Sequence, residues 1–278
     1  MCTLALLLRP GMLAITGNRN ERLDRPASPP AVRDGVLAPR DEKAQGTWLG
    51  LNRHGLFVCI TNRAGALNDP ARRSRGLLVD DALRAGSARA LHAELSRLAA
   101  DRYNGFHMVY ADLQDAFVTV GTGSALQQHE LAAGEVHLVT ERSYGAGEGE
   151  RERTVRADLT AVWAPRSLVT SGRLEAQVQV QPQAQGQPQA RLQRPDQLHA
   201  EDLRAWREPM RVHAMAPLES ACVHADQLGY GTRSSLQLCL REGDAAALWT
   251  EGHPCTSPAR DLSALLLQLR GPLRAEPR

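Results

Sequence analysis

Cys2 stands directly behind Met1, in Met1-Cys2-Thr3-Leu4. Methionine aminopeptidase acts when the second side chain is small, and cysteine is small. A chain that starts at Cys2 carries a thiol and a free α-amine on one carbon. An α-amine titrates near ~7.7–8.0, so a useful fraction is neutral at cellular pH. It can then take the proton of its own side chain, which is the chemistry of an N-terminal nucleophile. The competing reading is that Cys2 only opens a buried strand, since free cysteine packs as a small apolar residue.

The neighbouring elements favour the chemical reading. Thr3 to Leu8 and Met12 to Thr16 are apolar runs separated by Arg9-Pro10-Gly11, the pattern of a hairpin. A hairpin carries Gly17 to Glu21 back beside Cys2. Arg19 can then hold the thiol as thiolate, because a neighbouring cation favours the charged form. Asn20 or Glu21 can hydrogen-bond the α-amine.

Further along, Gly46 to Asn52 and Leu56 to Asn62 form a second hairpin pattern. The run Leu56 to Ile60 is apolar without alternation, as for a strand covered on both faces. The cluster Arg72 to Arg75 reads as a solvated basic loop, with attraction of an acidic ligand as the alternative. Leucines between Leu77 and Leu98 fall at helical spacing on either side of Gly86-Ser87, predicting two helices over one face of a sheet. Strands are expected over Phe106–Ala111, Ala116–Val120 and Glu135–Thr140, with His107 a packed histidine. Strand-like pieces such as Ala161-Val162-Trp163 follow. A flexible Gln/Pro-rich insertion is expected near 181–195, where glutamine alternates with proline and glycine. Asp196 is placed to cap a short helix carrying Leu198, Leu203 and Trp206. Strands from Ala221 to Trp249 and an amphipathic helix from Asp261 to Arg270 close the chain.

Length and charge narrow the classes. A chain of 278 residues suits a single domain over 1–278, large enough to bury about 75% of its unfolded surface. The net charge is +2 and the arginines are scattered, so no nucleic-acid partner is expected. Leu4 to Leu8 is too short to span a membrane or to serve as a secretory signal, so the protein is read as soluble and cytoplasmic. The five cysteines are odd in number and lack framework spacing, which suits reduced thiols. Cys222-x-His224 and His253-Pro-Cys255 look like fragments of a metal site. They lack the paired short spacings of zinc sites, so no metal is expected. Phosphate-loop, dinucleotide and serine-elbow motifs are absent, so no cofactor is expected from motif.

The chain resembles the NRDE family, also called the transport and Golgi organisation protein 2 family. The resemblance is carried by Met1-Cys2-Thr3-Leu4, Asn18-Arg19-Asn20-Glu21, Asp24-Arg25-Pro26, Gly46-Thr47-Trp48-Leu49-Gly50, Thr61-Asn62, Tyr103-Asn104-Gly105-Phe106 and Tyr230-Gly231-Thr232-Arg233-Ser234-Ser235. These occur in the family's order from residue 1 to about residue 240. The resemblance implies an α+β fold, a four-layer αββα sandwich of two antiparallel sheets of the N-terminal nucleophile hydrolase-like kind. That superfamily includes bile-salt and penicillin hydrolases. By position, Cys2 would be nucleophile and base, Arg19 its electrostatic partner, Asn62 an oxyanion donor, and Arg233 a neighbour of Cys2. Two positions depart from the pattern. Asn20 replaces the motif's acid, and Leu138 to Ser143 lacks the family's Leu-Ser-Asn segment.

The implied activity is hydrolysis or acyl transfer at an amide through acyl-Cys2. The alternative implied by the resemblance is non-catalytic binding and trafficking of haem or a lipid or acyl-CoA. Substrate identity and oligomeric state are not legible.

Overall fold

The computed structural model describes residues 2–66, 68–142, 144–145, 147–163, 200–214 and 216–270. The Gln/Pro-rich segment and the cap at Asp196 lie outside them. Strands β1 (Thr3–Arg9) and β2 (Met12–Arg22) form the expected hairpin, turning through Pro10 and Gly11, whose φ is 70°. Strand β2 runs six residues beyond the expected Thr16, because it pairs along its other edge as well.

A meander follows: β3 (Ala27–Arg33), β4 (Val36–Asp41), β5 (Leu49–Asn52), β6 (Phe57–Asn62), β7 (Phe106–Ala111), β8 (Ala116–Gly121) and β9 (Leu126–Glu130). Between β6 and β7 come α1 (Arg75–Ala82) and α2 (Ala88–Leu95), capped by the side chains of Ser74 and Ser87. Strand β10 (Val136–Val139) leads to α3 (Glu150–Trp163). The rest comprises α4 (Ala200–Arg207), β11 (His224–Ala225), β12 (Tyr230–Arg241), β13 (Asp244–Glu251), β14 (Ala259–Asp261) and α5 (Ser263–Arg270).

The strands make two antiparallel sheets. One has the order β10-β1-β2-β12-β13-β14, with β11 paired to β12; the other is β3-β4-β5-β6-β7-β8-β9. Strand alternation sorts side chains between layers. Leu4, Leu6 and Leu8 of β1 meet Phe57 and Cys59 of β6 in the core between the sheets. Val58 and Ile60 face the other way, against Leu78, Val79 and Leu91 of α1 and α2. Ala5 and Leu7 pack outward against Val155, Leu159, Trp163 and Trp206 of α3 and α4. The layering is therefore helix, sheet, sheet, helix, as expected, and the continuous apolar run of β6 follows from having cover on both faces. Leu266 and Leu269 of α5 join the inter-sheet core.

One expectation is corrected. Ala161-Val162-Trp163 ends a helix, since Val155, Leu159 and Trp163 recur every four residues and all are buried. Pro29 and Pro30 sit within β3, which tolerates them as an edge strand with a register shift between Ser28 and Ala31.

Candidate active site

The β1–β2 ladder pairs Thr3 with Asn18 and continues toward Cys2 opposite Arg19. Both residues open onto a cleft of about 450 Å³ formed where the two sheets meet the start of α1. Asn20 from β2 and Asn62 from the end of β6 line the same cleft. The structure thus brings together Cys2, Arg19, Asn20 and Asn62.

Arg19 is 6% exposed. Its guanidinium carbon lies 4.1 Å from the centre of the Trp48 ring, and Nη2 donates to Asp41 Oδ2 at 3.2 Å. Nη1 is buried with no hydrogen-bond partner. Burial pulls the Arg19 pKa below the ordinary arginine value, with Cys2, Glu21 and Asp41 acting in the opposite sense. A desolvated guanidinium with one donor unused is a strong attractor for an anion or a developing oxyanion.

Asp41 holds this cation in place. It accepts from Arg25 Nε at 2.6 Å as well as from Arg19, and its Oδ1 takes the backbone N–H groups of Lys43 and Ala44. Burial disfavours its charge, but Arg25, the Ala44 N–H and Arg19 outweigh that and keep its pKa below the usual carboxylate value. Neither Asp41 nor Trp48 was singled out from sequence; Trp48 lies in the matched Gly46–Gly50 motif, which could have flagged it, whereas Asp41 lies in no matched motif.

Asn20 is 2% exposed. Its Oδ1 accepts from Thr232 Oγ1 at 2.6 Å, and its backbone oxygen accepts from the Tyr230 hydroxyl at 2.8 Å. The amide therefore locks β2 to β12 where an acid was expected by family pattern. Asn62 is the exposed last residue of β6, whose other residues are buried.

Arg233 behaves differently from the expectation and is not among the described residues lining the cleft. It sits at the register shift between Thr232 and Ser234, which re-aims the side chain. Its Nη1 donates to the backbone oxygens of Arg22, Leu23 and Arg25. It braces the turn that delivers Arg25 rather than meeting Cys2. The Thr140-Glu141-Arg142 segment is likewise absorbed by structure. Glu141 receives both oxygens' worth of hydrogen bonds from buried Arg151 at 2.8 Å, and Thr140 Oγ1 donates to Glu152 at 2.7 Å.

The basic cluster read as a solvated loop faces the cleft instead. Arg72, Arg73 and Arg75 line it, with Arg25 and Arg63, so six arginines including Arg19 meet only Glu21, Asp41 and Asp69 there. Arg73 is neutralised by Asp81 at 2.6 Å, and Arg72 is spent on the backbone oxygens of Tyr103 and Gly123. Arg75 donates to Gly105 O at 2.9 Å; burial lowers its pKa, against the influence of Glu21 and Cys2. Cys59 is no rival nucleophile, because complete burial raises its pKa well above the ordinary thiol. His107, fully buried as expected, bonds Thr61 and Tyr144 and stays outside the cleft.

A family model for transport and Golgi organisation 2 matches residues 1–251. The chain belongs to that family. A transport and Golgi organization 2 homolog from Mus musculus is 30% identical over 108 residues, 36% of this chain and 39% of the mouse protein. The match thus spans well under half of that relative. Among solved structures, a conjugated bile acid hydrolase variant from Clostridium perfringens is 14% identical, with a TM-score of 0.48 over 98% of this chain and 94% of that one. A Caenorhabditis elegans ortholog of N-acylethanolamine-hydrolyzing acid amidase is 13% identical, with a TM-score of 0.42 over 58% and 79%. The layer order of this family member rests on its own pairings and cores. Among the described residues no helix is long and apolar enough to cross a membrane.

Proposed function

We propose that this family member is an amidohydrolase or acyltransferase working through Cys2 as an N-terminal nucleophile. The observation that carries the reading is Arg19: a buried cation with an unused donor, sharing one cleft with Cys2 and Asn62. The neutral α-amine takes the thiol proton, and the sulfur attacks the amide carbonyl. Asn62 and backbone N–H groups hold the resulting oxyanion. The ammonium returns its proton to the leaving nitrogen, the C–N bond breaks, and acyl-Cys2 remains. Water, deprotonated by the same amine, then releases the acid; an amine or alcohol in its place completes transfer. The arginine excess favours a substrate bearing a carboxylate or another anion.

The test is an electrophilic acyl probe followed by intact mass. One acyl group per chain is expected, lost in Cys2→Ala. Asn62→Ala is expected to slow acylation by about 10²–10³, the usual worth of an oxyanion donor. Labelling that survives Cys2→Ala, or a purified chain still carrying Met1, overturns the reading. The alternative, carriage of haem or an acyl-CoA, would use the same cleft. A saturable Soret shift on haem titration without any acylation would put binding in place of catalysis.

A further inference from the structure

The two Cys/His fragments that lack zinc-site spacing in sequence meet in space. His213 lies in the loop after α4, Cys222 just before β11, His224 on β11, and Cys255 in the turn between β13 and β14. One ligand atom from each lies within 4.8 Å of all the others. Cys222 Sγ is 3.5 Å from Cys255 Sγ and 3.6 Å from His224 Nε2, and His224 Nε2 is 3.1 Å from Cys255 Sγ.

Those separations have a particular meaning. Zinc binds thiolate at ~2.3 Å and imidazole at ~2.0–2.1 Å, so a tetrahedral site has S···S edges near ~3.8 Å and S···N edges near ~3.6 Å. A disulfide would require the sulfurs at ~2.05 Å, and both cysteines are free thiols here. His224 can also approach Asp226 and His253, but two sulfurs with two imidazoles form the softer, more selective donor set.

The surroundings are those of a built site. Cys222 is buried and anchored by its N–H to Val212 O at 3.0 Å. The turn carrying Cys255 is gripped by Arg207, which donates to Pro254 O and Ser257 O, and by Arg211, which donates to Cys255 O at 3.2 Å. The His253 ring stacks on His224 at 3.8 Å between centres and fixes its plane. None of the four residues lines the Cys2 cleft.

We propose that His213, Cys222, His224 and Cys255 bind one zinc-class divalent ion as a closed, structural site. Four protein ligands leave no open position for substrate, and the ion pins the loop after α4 to the β12–β13 hairpin. The sequence spacing hides it because that hairpin returns Cys255 beside His224 across thirty intervening residues.

The full chain, reconstituted with zinc and desalted, is expected to hold one equivalent by elemental analysis. With cobalt it should show thiolate-to-metal charge transfer and the intense visible bands of a tetrahedral ion. Both should persist in Cys2→Ala, so failure here and failure of the acylation reading are separable. Cys222→Ser should abolish the charge-transfer band or shift it. His213 is the exposed ligand, so His213→Ala should leave the fold intact and weaken zinc at least tenfold against a chromophoric chelator. A reconstituted chain with under a tenth of an equivalent, or a Cys222–Cys255 disulfide in freshly reduced and re-purified protein, overturns the proposal.

Discussion

His107 carries no charge in the folded protein, and the reason is geometric. Its Nε2 accepts the Tyr144 N–H at 3.4 Å, so the proton sits on Nδ1, facing Thr61 Oγ1 at 3.3 Å. Burial, reinforced by Arg63, lowers its pKa to about 4. An unfolded histidine titrates near ~6.5 and binds its proton first, so acid favours unfolding. Stability is complete above that value and declines as pH falls from about 6.5 toward about 4. At one pKa unit per ~1.4 kcal/mol, the loss is on the order of 3 kcal/mol. Urea midpoints across this window should fall in the wild type and flatten in His107→Gln; equal slopes in the two proteins would refute the assignment. At this scale the sequence was informative about Cys2, Arg19, Asn62 and the packed nature of His107. It gave no role to Asp41 or Trp48 and preferred a solvated loop for the run ending at Arg75, because an aspartate in a polar stretch or an arginine in a basic run shows nothing of what it faces. Arg233 was placed near Cys2 by the family resemblance alone, and the register shift beside it that re-aims its side chain leaves no mark in the sequence.

The segment from Gly46 into β5 at Gly50 packs tightly beside the cleft. A Cβ on Gly46 would lie 2.4 Å from the backbone carbon of Gly76, and one on Gly50 would lie 2.6 Å from Leu83 Cδ1. The first contact is with backbone at the start of α1 and cannot be relieved by a rotamer change. Gly46→Ala should therefore cost about 3 kcal/mol or more, at the upper end of overpacking effects. It should also disturb acylation, because Thr47, Trp48 and Ser74 to Gly76 wall the cleft. Gly55→Ala serves as the control: its added methyl meets open space, although its φ of 83° brings backbone strain alone. A Gly46→Ala melting point within a degree of wild type would contradict the contact. Periodicity located α1, α2 and α5 because each presents leucines to a core. It failed for α3, where Glu150, Arg151 and Glu152 mask a stripe of only three apolar residues. It failed again for β9, an edge strand whose only apolar residue is Leu126.

Taken as a molecule, the sandwich is stitched in two different ways. The β3-to-β9 sheet is a meander in which every neighbour in space is a neighbour in sequence. The other sheet joins β2 to β12, pairing Arg22 with Tyr230 and Met12 with Arg241. Long closures are slow, so the meander should form first. Pulse-labelled hydrogen exchange during refolding should protect amides of β6 to β8 before those of β2 and β12. Simultaneous protection, or the reverse order, would rule this out. The apolar runs and helical stripes gave hairpins flanked by helices, while the four-layer plan came from the family resemblance. The pairing of β2 with β12 was not legible, since nothing local marks two strands two hundred residues apart as partners.

That long stitch has a further effect on when reactivity appears. Cys2 and Arg19 are contributed by the strands that wait, while Asp41, Trp48 and Asn62 are contributed by the meander that does not. A nascent chain can already place Cys2 beside Arg19 on the β1–β2 hairpin, but that hairpin is expected to meet Asp41, Trp48 and Asn62 only as the β2–β12 pairing closes the sandwich. Vectorial synthesis therefore makes the cleft one of the last features of the molecule to be completed, since its walls come from both sheets.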